Sequence, residues 1–573
     1  MLINEIACMK YTLLLLAFCL TEAKAQSRYD IVITEIMADP TPVVNLPNNE
    51  WIEIKNVSDD PVNLQDWRVG DNNGRSGPMP YFILQPGKYA IVCNNTARLT
   101  MESYGDVVSV SSFPSLDNDG DLVYIRYPLN PIFHAVQYSS SWYQNELKKE
   151  GGWSLEMIDP ENPCIGSENW KASNHVWGGT PGKINSISGI VYDDIPPQIR
   201  NAYILYPDTI VVVYNEPIDN LTGTTTSNYS IDNNIAITKA ILGQPFFSDV
   251  VLVLDRSLQS NTIYTVTAVN VTDCKGNAIN MSNKAQVGLP VPALPHELVI
   301  NEILFNPKPN GFDYVELYNN SNKIFDASKI HIANRNSNGA VSSIRPLSSV
   351  PFYIFPSDHI VVTEDADRLA LNYLVRHPTQ VLATPLPSLP DDEGTVLLLN
   401  PQGEPIDEVT YKDNWHFSLL DSKEGVALER IDPSGPSQDA SNWHSAASTA
   451  GYGTPTYKNS QYRLPPQGNS TISTPSVFSP DNDGYEDIAI IQYRIDEPGY
   501  VANIVVFDDA GRIVRTLVKN SIMSTSGHWI WDGLNDLNQP LPVGIYIIFT
   551  EIFNAQGKKQ RFKNTVVLAR RIF

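Results

Sequence analysis

Residues 31–56, IVITEIMADPTPVVNLPNNEWIEIKN, decide the architecture, because the chain uses this pattern twice. The second use is LVINEILFNPKPNGFDYVELYN, residues 298–319. Each holds an apolar strand carrying a glutamate (Glu35, Glu302), a proline-rich turn, and a second strand carrying another (Glu53, Glu316). In the second strand Ile52 and Ile54 alternate with Trp51, Glu53 and Lys55, and Val315 and Leu317 repeat the rhythm. Period-2 alternation predicts a half-buried strand. A long segment used twice is an architectural module, so it speaks to construction before it speaks to ligand.

A chain of 573 residues is too long for one core and predicts several domains. Its 10% aromatic content and 42 scattered prolines suit many short strands joined by turns. No long helical periodicity occurs outside the N-terminus. The predicted class is all-β, with four tandem Ig-like β-sandwich domains in an elongated array. Their expected bounds are 27–190, 195–292, 296–462 and 475–573, with VPAL (291–294) and LPPQGNSTIST (464–474) as linkers.

Residues 1–25 read as a secretory signal. Lys10 precedes the apolar run YTLLLLAFCL (11–20), and Ala23-Lys24-Ala25 follows it. That run is too short to span a bilayer, and no later one is long enough, so the mature chain is expected to be secreted with no transmembrane segment. Cys8 and Cys19 leave with the signal. Aligning the repeats puts Cys93 on Thr363 and Cys164 on Ser437, so the second copy lacks both cysteines together. This predicts a Cys93–Cys164 disulfide formed in an oxidising compartment, with Cys274 buried and unpaired; two independent buried thiols are the alternative. A formal charge of −23 disfavours nucleic acid as a bulk partner, since such binding needs many Lys/Arg–phosphate contacts.

The run ITEI…NEWIEIKN…LQDW, with its DNDGD turn, resembles the lamin tail domain, an Ig-like sandwich. The endings LEMIDP…NW…GTP and LERIDP…NW…GTP are similar to the extended version found in secreted bacterial proteins of Bacteroidetes type. The resemblance implies binding and scaffolding and no one reaction. Residues 195–292, with Asn215-Glu216-Pro217 and VTDCKGN (271–277), resemble bacterial Ig-like spacers of S-layer and adhesin type. Residues 475–573, opening with PSVFSPDNDGYED (475–487) and carrying HWIWDG (528–533) and PVGIY (542–546), resemble the Ig-like domain of flagellar hook-capping proteins and the terminal domains of gliding-associated exported proteins. That likeness implies a sorting signal read by the type IX export machinery and a place on the exterior of a bacterial outer membrane.

Asp481, Asp483 and Asp487, in DNDGYED, are the candidate calcium ligands, because carboxylates at alternate positions around a glycine turn can wrap a hard cation. The competing reading is a charged turn entering a strand. Asp117-Asn118-Asp119-Gly120-Asp121 is a weaker version. Glu35/Glu53 and Glu302/Glu316 invite an acid–base reading, but no His or Cys accompanies them in both copies, so they are read as structural repeat carboxylates accepting backbone donors. Zinc-site, P-loop, nucleophile-elbow and dinucleotide motifs are missing. Trp51, Trp67, Trp142, Trp153, Trp170 and Trp177 read as core, with a sugar-stacking row as the alternative. The expected function is a non-catalytic surface or extracellular binding scaffold, adhesin-like, with a surface protein or glycan as partner. The alternative is a carbohydrate- or DNA-binding accessory to an exported hydrolase.

Overall fold

The structure is a computed structural model describing residues 26–127, 132–463, 469–481 and 484–570. The expected signal segment 1–25, part of the 464–474 linker and Asp483 lie outside the described residues. The chain is all-β and divides into two compact units, residues 1–258 with 263–287, and residues 259–262 with 288–573. Each unit holds one copy of the repeated module and one further pair of sheets.

In the first unit a six-stranded sheet runs in the order Trp170–Ala172, Leu155–Met157, Ile31–Met37, Trp51–Asn56, Tyr89–Asn94, Val107–Val110. Only the last pairing is parallel. A three-stranded sheet of Arg68–Gly70, Leu122–Arg126 and Ile132–Gln137 shares its core, where Ile33, Ile36, Ile52, Ile54, Trp67 and Val123 are buried. The second unit repeats the six-stranded order with Trp443–Ser445, Leu428–Arg430, Leu298–Leu304, Tyr314–Asn319, His359–Thr363 and Val381–Ala383. The two copies also share an irregularity. Register shifts between Ile33 and Glu35, and between Ile300 and Glu302. The inserted residue turns Thr34 and Glu35 toward the same side while Ile33 and Ile36 both reach the core, which is what a β-bulge does.

Outside the modules, the first unit has a four-stranded sheet (Ile199–Tyr206, Thr209–Tyr214, Asp249–Leu254, Ile237–Leu242) and a three-stranded one (Tyr229–Ile231, Tyr264–Ala268, Lys284–Val287). In the second unit a three-stranded sheet (Thr471–Ser473, Ala489–Arg494, Ser526–Trp531) shares a core around Phe478, Tyr500, Ile504, Trp531 and Ile548 with a five-stranded one (Val477–Phe478, Lys559–Leu568, Gly544–Asn554, Tyr500–Phe507, Ile513–Ile522).

Two expectations need correction. The Trp51–Asn56 strand is not half-buried: Trp51, Ile52, Glu53 and Ile54 are all fully covered. Its outer side packs Trp51 against Met37, Ile91, Cys93 and Met101 of the short Arg98–Met101 helix, so alternation here separates two buried faces.

The disulfide is Cys164–Cys274, and Cys93 is a buried free thiol. Cys93 sits on a strand three places across the sheet from Leu155–Met157, whose following loop carries Cys164. At about 4.8 Å per strand that is roughly 14 Å, twice the reach of a disulfide. Cys164 and Cys274 have Cα atoms 6.5 Å apart. The second copy lacks the loop cysteine because its partner belongs to the neighbouring sandwich, which this unit carries once. Bridging residues 110 apart constrains the unfolded chain strongly. Cys164→Ser or Cys274→Ser is expected to cost the first unit on the order of 2–4 kcal/mol, read as a lowered urea midpoint that reductant reproduces in the unsubstituted chain.

Candidate functional site

The bulge places Glu35 opposite Glu53 on one side and opposite Glu156 on the other. Glu302 is likewise flanked by Glu316 and Glu429. Each copy therefore contains a rung of three glutamates on adjacent strands, and all six are fully buried. Glu156 and Glu429 come from the LEMIDP and LERIDP endings. The signal for them was a shared position in both endings, but without the strand order nothing places them beside Glu35 and Glu302.

The GTP segments close over these rungs. Thr180 donates its backbone N–H to Glu35 at 2.8 Å, and Gly182 donates to Glu53 at 2.6 Å. In the second copy Thr454 N–H reaches Glu302 at 2.9 Å and Thr456 N–H reaches Glu316 at 2.7 Å. The bulge residue holds the second glutamate: Thr34 Oγ1 to Glu53 at 2.8 Å, Asn301 Nδ2 to Glu316 at 2.8 Å. Ser186 and Ser460 hydroxyls hold Glu156 and Glu429, each at 2.8 Å. The glycine before each threonine is required by close approach. A Cβ on Gly179 would stand 2.7 Å from Glu35 Oε1, and one on Gly453 2.6 Å from the Tyr314 hydroxyl.

One hydroxyl in each rung bridges two carboxyl groups. Thr180 Oγ1 lies 3.3 Å from Glu35 and 2.9 Å from Glu156. Thr454 Oγ1 lies 2.8 Å from Glu302 and 2.9 Å from Glu429. A threonine hydroxyl has one proton to donate, so the other short contact requires a proton on a carboxyl group. Electrostatics agree. Burial, then the neighbouring Glu156, raises Glu35 to about 8, and burial with Glu429 raises Glu302 to about 8. Glu53 and Glu316 are pushed up by burial and by Glu35 and Glu302 respectively. The rungs are thus clamps for the C-terminal segment of each module. Sealed from solvent and filled by their own chain's donors, they offer no opening to a substrate.

The copies differ beside the rung. In the second, Arg430 is fully buried and donates to Asp407 at 3.1 Å, to Ile300 O at 3.0 Å and to Ser437 Oγ at 2.8 Å. Asp407 also accepts Ile300 N–H at 2.8 Å. The first copy has Met157, His134 and Cys164 at these three positions. His134 Nδ1 accepts Ile33 N–H at 2.9 Å, and burial lowers this imidazole to about 4, so it is neutral.

Of the candidate calcium ligands, Asp487 accepts the N–H groups of Asp481 (3.1 Å) and Gly484 (2.9 Å), and Asp483 lies outside the described residues. Among the described residues, the carboxylates that do converge are Asp193, Glu216 and Asp273, each offering an oxygen within 4.8 Å of the others. Asp273 is buried and accepts the N–H groups of Lys275 and Asn277, at 2.8 and 2.9 Å. Burial, then Asp273 and Asp193, raises Glu216 to about 7. Oxygen ligands of this kind suit a hard cation. The NEP and VTDCKGN turns were visible in sequence, but the three residues come from separate loops and no spacing links them. Of the tryptophans, Trp51 and Trp67 are fully buried, whereas Trp177 is exposed.

Residues 24–140 match the Lamin Tail Domain family. No curated protein matches the chain. Among solved structures, the N-terminal part of the bacterial S-layer protein SbsC is similar at 14% identity over 29% of this chain, with TM-score 0.16, and the overlap spans 40% of that chain. A DUF4876 family protein from Bacteroides thetaiotaomicron is similar at 12% identity, over 36% of this chain and 84% of that one, with TM-score 0.16. PorZ, a surface component of the type-IX secretion system of Porphyromonas gingivalis, is similar at 10% identity over 78% of this chain and 56% of that one, with TM-score 0.15. At such TM-scores these likenesses decide nothing about the role of this chain.

Proposed function

We propose that this chain is a non-catalytic binding scaffold of the cell surface or extracellular space, in which two lamin-tail-like modules and their neighbouring sandwiches present surface to a protein or glycan. The observation that carries the reading is the state of the six repeated glutamates. Four of them, Glu35, Glu53, Glu302 and Glu316, are the acid–base candidates of the sequence, and all six are fully buried and bonded to the chain that holds them. An interdomain disulfide supports an oxidising location. Residues 475–573 serve export, in keeping with their resemblance to terminal sorting domains.

The test joins two measurements. Cells lacking the chain should lose attachment to a protein- or glycan-coated surface, and intact cells should expose the chain to added protease. Purified protein should turn over neither peptide, glycan nor nucleic acid. Turnover that Glu35→Gln or Glu302→Gln abolishes would overturn the reading.

A further inference from the structure

A groove of about 810 Å³ crosses the second unit between residues 370–376, the segment after Gly453, and residues 524–528. Its volume falls in the range of ligand sites. Polar and aromatic side chains line it, including Asn372, Tyr457, Ser526 and His528, together with the cations Arg376 and Lys458. No Asp or Glu is among its lining residues, in a chain with 63 acidic and 40 basic side chains. Beneath it, Thr454 covers the buried Glu302 and Glu429, whose rung retains a proton.

The two cations are placed for an external partner. Lys323, Arg335 and Arg430 of the same unit sit on carboxylates. Arg376 instead lies over the Tyr457 ring at 4.2 Å, and Lys458 over Tyr462 at 3.7 Å. Both side chains are exposed. Held on rings, they keep their N–H groups free to meet an anion without first giving up a salt bridge.

The module does not need these residues to fold. The first copy has Lys183 and Ile184 where the second has Tyr457 and Lys458, yet its Thr180 and Gly182 clamp the glutamates in the same way. Arg376 lies in a connection, residues 364–380, that is longer than its counterpart, residues 95–106. Added loop length carrying an oriented cation marks a functional insertion more often than a structural one.

We infer that this groove binds an acidic oligosaccharide, with Arg376 and Lys458 meeting carboxylate or sulfate groups and Tyr457 and Asn372 contacting the sugar rings. The inference rests on the binding role proposed above and names its ligand class. The test is calorimetric titration of the full chain with three probes: trigalacturonic acid, a chondroitin sulfate tetrasaccharide, and the methyl ester of trigalacturonic acid. At least one acidic probe is expected to bind, and the neutral ester about tenfold or more weaker. Tyr457→Lys with Lys458→Ile, which installs the first copy's residues, and separately Arg376→Ala, should each weaken acidic binding about tenfold while leaving the urea midpoint unchanged. Absence of binding by both acidic probes, equal binding of the ester, or full binding by both variants would overturn the inference. If the groove fails while cells still attach through the chain, the binding role stands without it. Unchanged attachment of cells lacking the chain fails the role itself.

Discussion

Replacing Arg430 by methionine should destabilise the second unit by on the order of 3–5 kcal/mol. The substitution removes the buried cation and leaves Asp407 ionised in the core with only Ile300 N–H and the Ser437 hydroxyl as donors. It also strands Ile300 O and Gly435 O, which Arg430 now satisfies. The first copy shows how the same site is built without charge: Met157 fills the arginine's volume and neutral His134 accepts Ile33 N–H. Arg430→Met combined with Asp407→His should therefore recover most of the loss, since a buried pair replaced as a whole by packed neutral groups is often tolerated. Asp407→His alone should be as costly as Arg430→Met, because it leaves the guanidinium unpaired. Urea unfolding of the three variants gives the cycle. A loss for Arg430→Met under about 1 kcal/mol, or a double variant no more stable than either single one, would show that the pair is not the contact that matters.

This contrast also measures what the sequence could convey. Repetition of Glu35/Glu53 as Glu302/Glu316 gave the module, and the paired strands in both copies follow it. The bulge was not read from the sequence, although Ile31, Ile33 and Ile36, whose spacing changes from two to three, carry its trace. The third glutamate was written in the same two endings that suggested the family, but its place depends on strand order, which periodicity does not encode. The disulfide failed for the same reason. Joint absence of two cysteines from one copy looked like pairing, whereas Cys93 lies on a strand three places from the one that leads into the Cys164 loop, and the partner of Cys164 is outside the module. Ser437 and Thr363 then have separate explanations: one completes the Arg430–Asp407 group, and the other donates to Asp313 O at 2.9 Å. The trio Asp193, Glu216 and Asp273 lay in three segments that only the fold brings together.

Both units should lose stability as pH rises from about 4.5 to about 8, and Glu35→Gln or Glu302→Gln should remove part of that loss in the unit that carries it. The sign follows from linkage. An unfolded glutamate titrates near 4.3, so above that pH the unfolded chain has released its protons. Glu35 and Glu302 keep theirs until about 8 because the charged form is desolvated and faces Glu156 or Glu429. The folded state thus binds more protons across this window. Stability is full below the unfolded value and falls by about 1.4 kcal/mol per pH unit for each retained proton. Glutamine keeps the shape of a protonated glutamic acid and can donate its amide N–H to the Thr180 or Thr454 hydroxyl, but it has no proton to lose. The slope of unfolding free energy against pH should therefore flatten by about one proton per substitution between pH 5 and 8. Thr454→Val separates the parts of the argument. It removes the hydroxyl shared by Glu302 and Glu429 while keeping the backbone N–H bond, so it should lower stability without abolishing the slope. A wild-type slope of zero in this window, or Gln variants that titrate like the parent, would mean that the rungs are fully ionised and that the clamp is held by some other balance of charge.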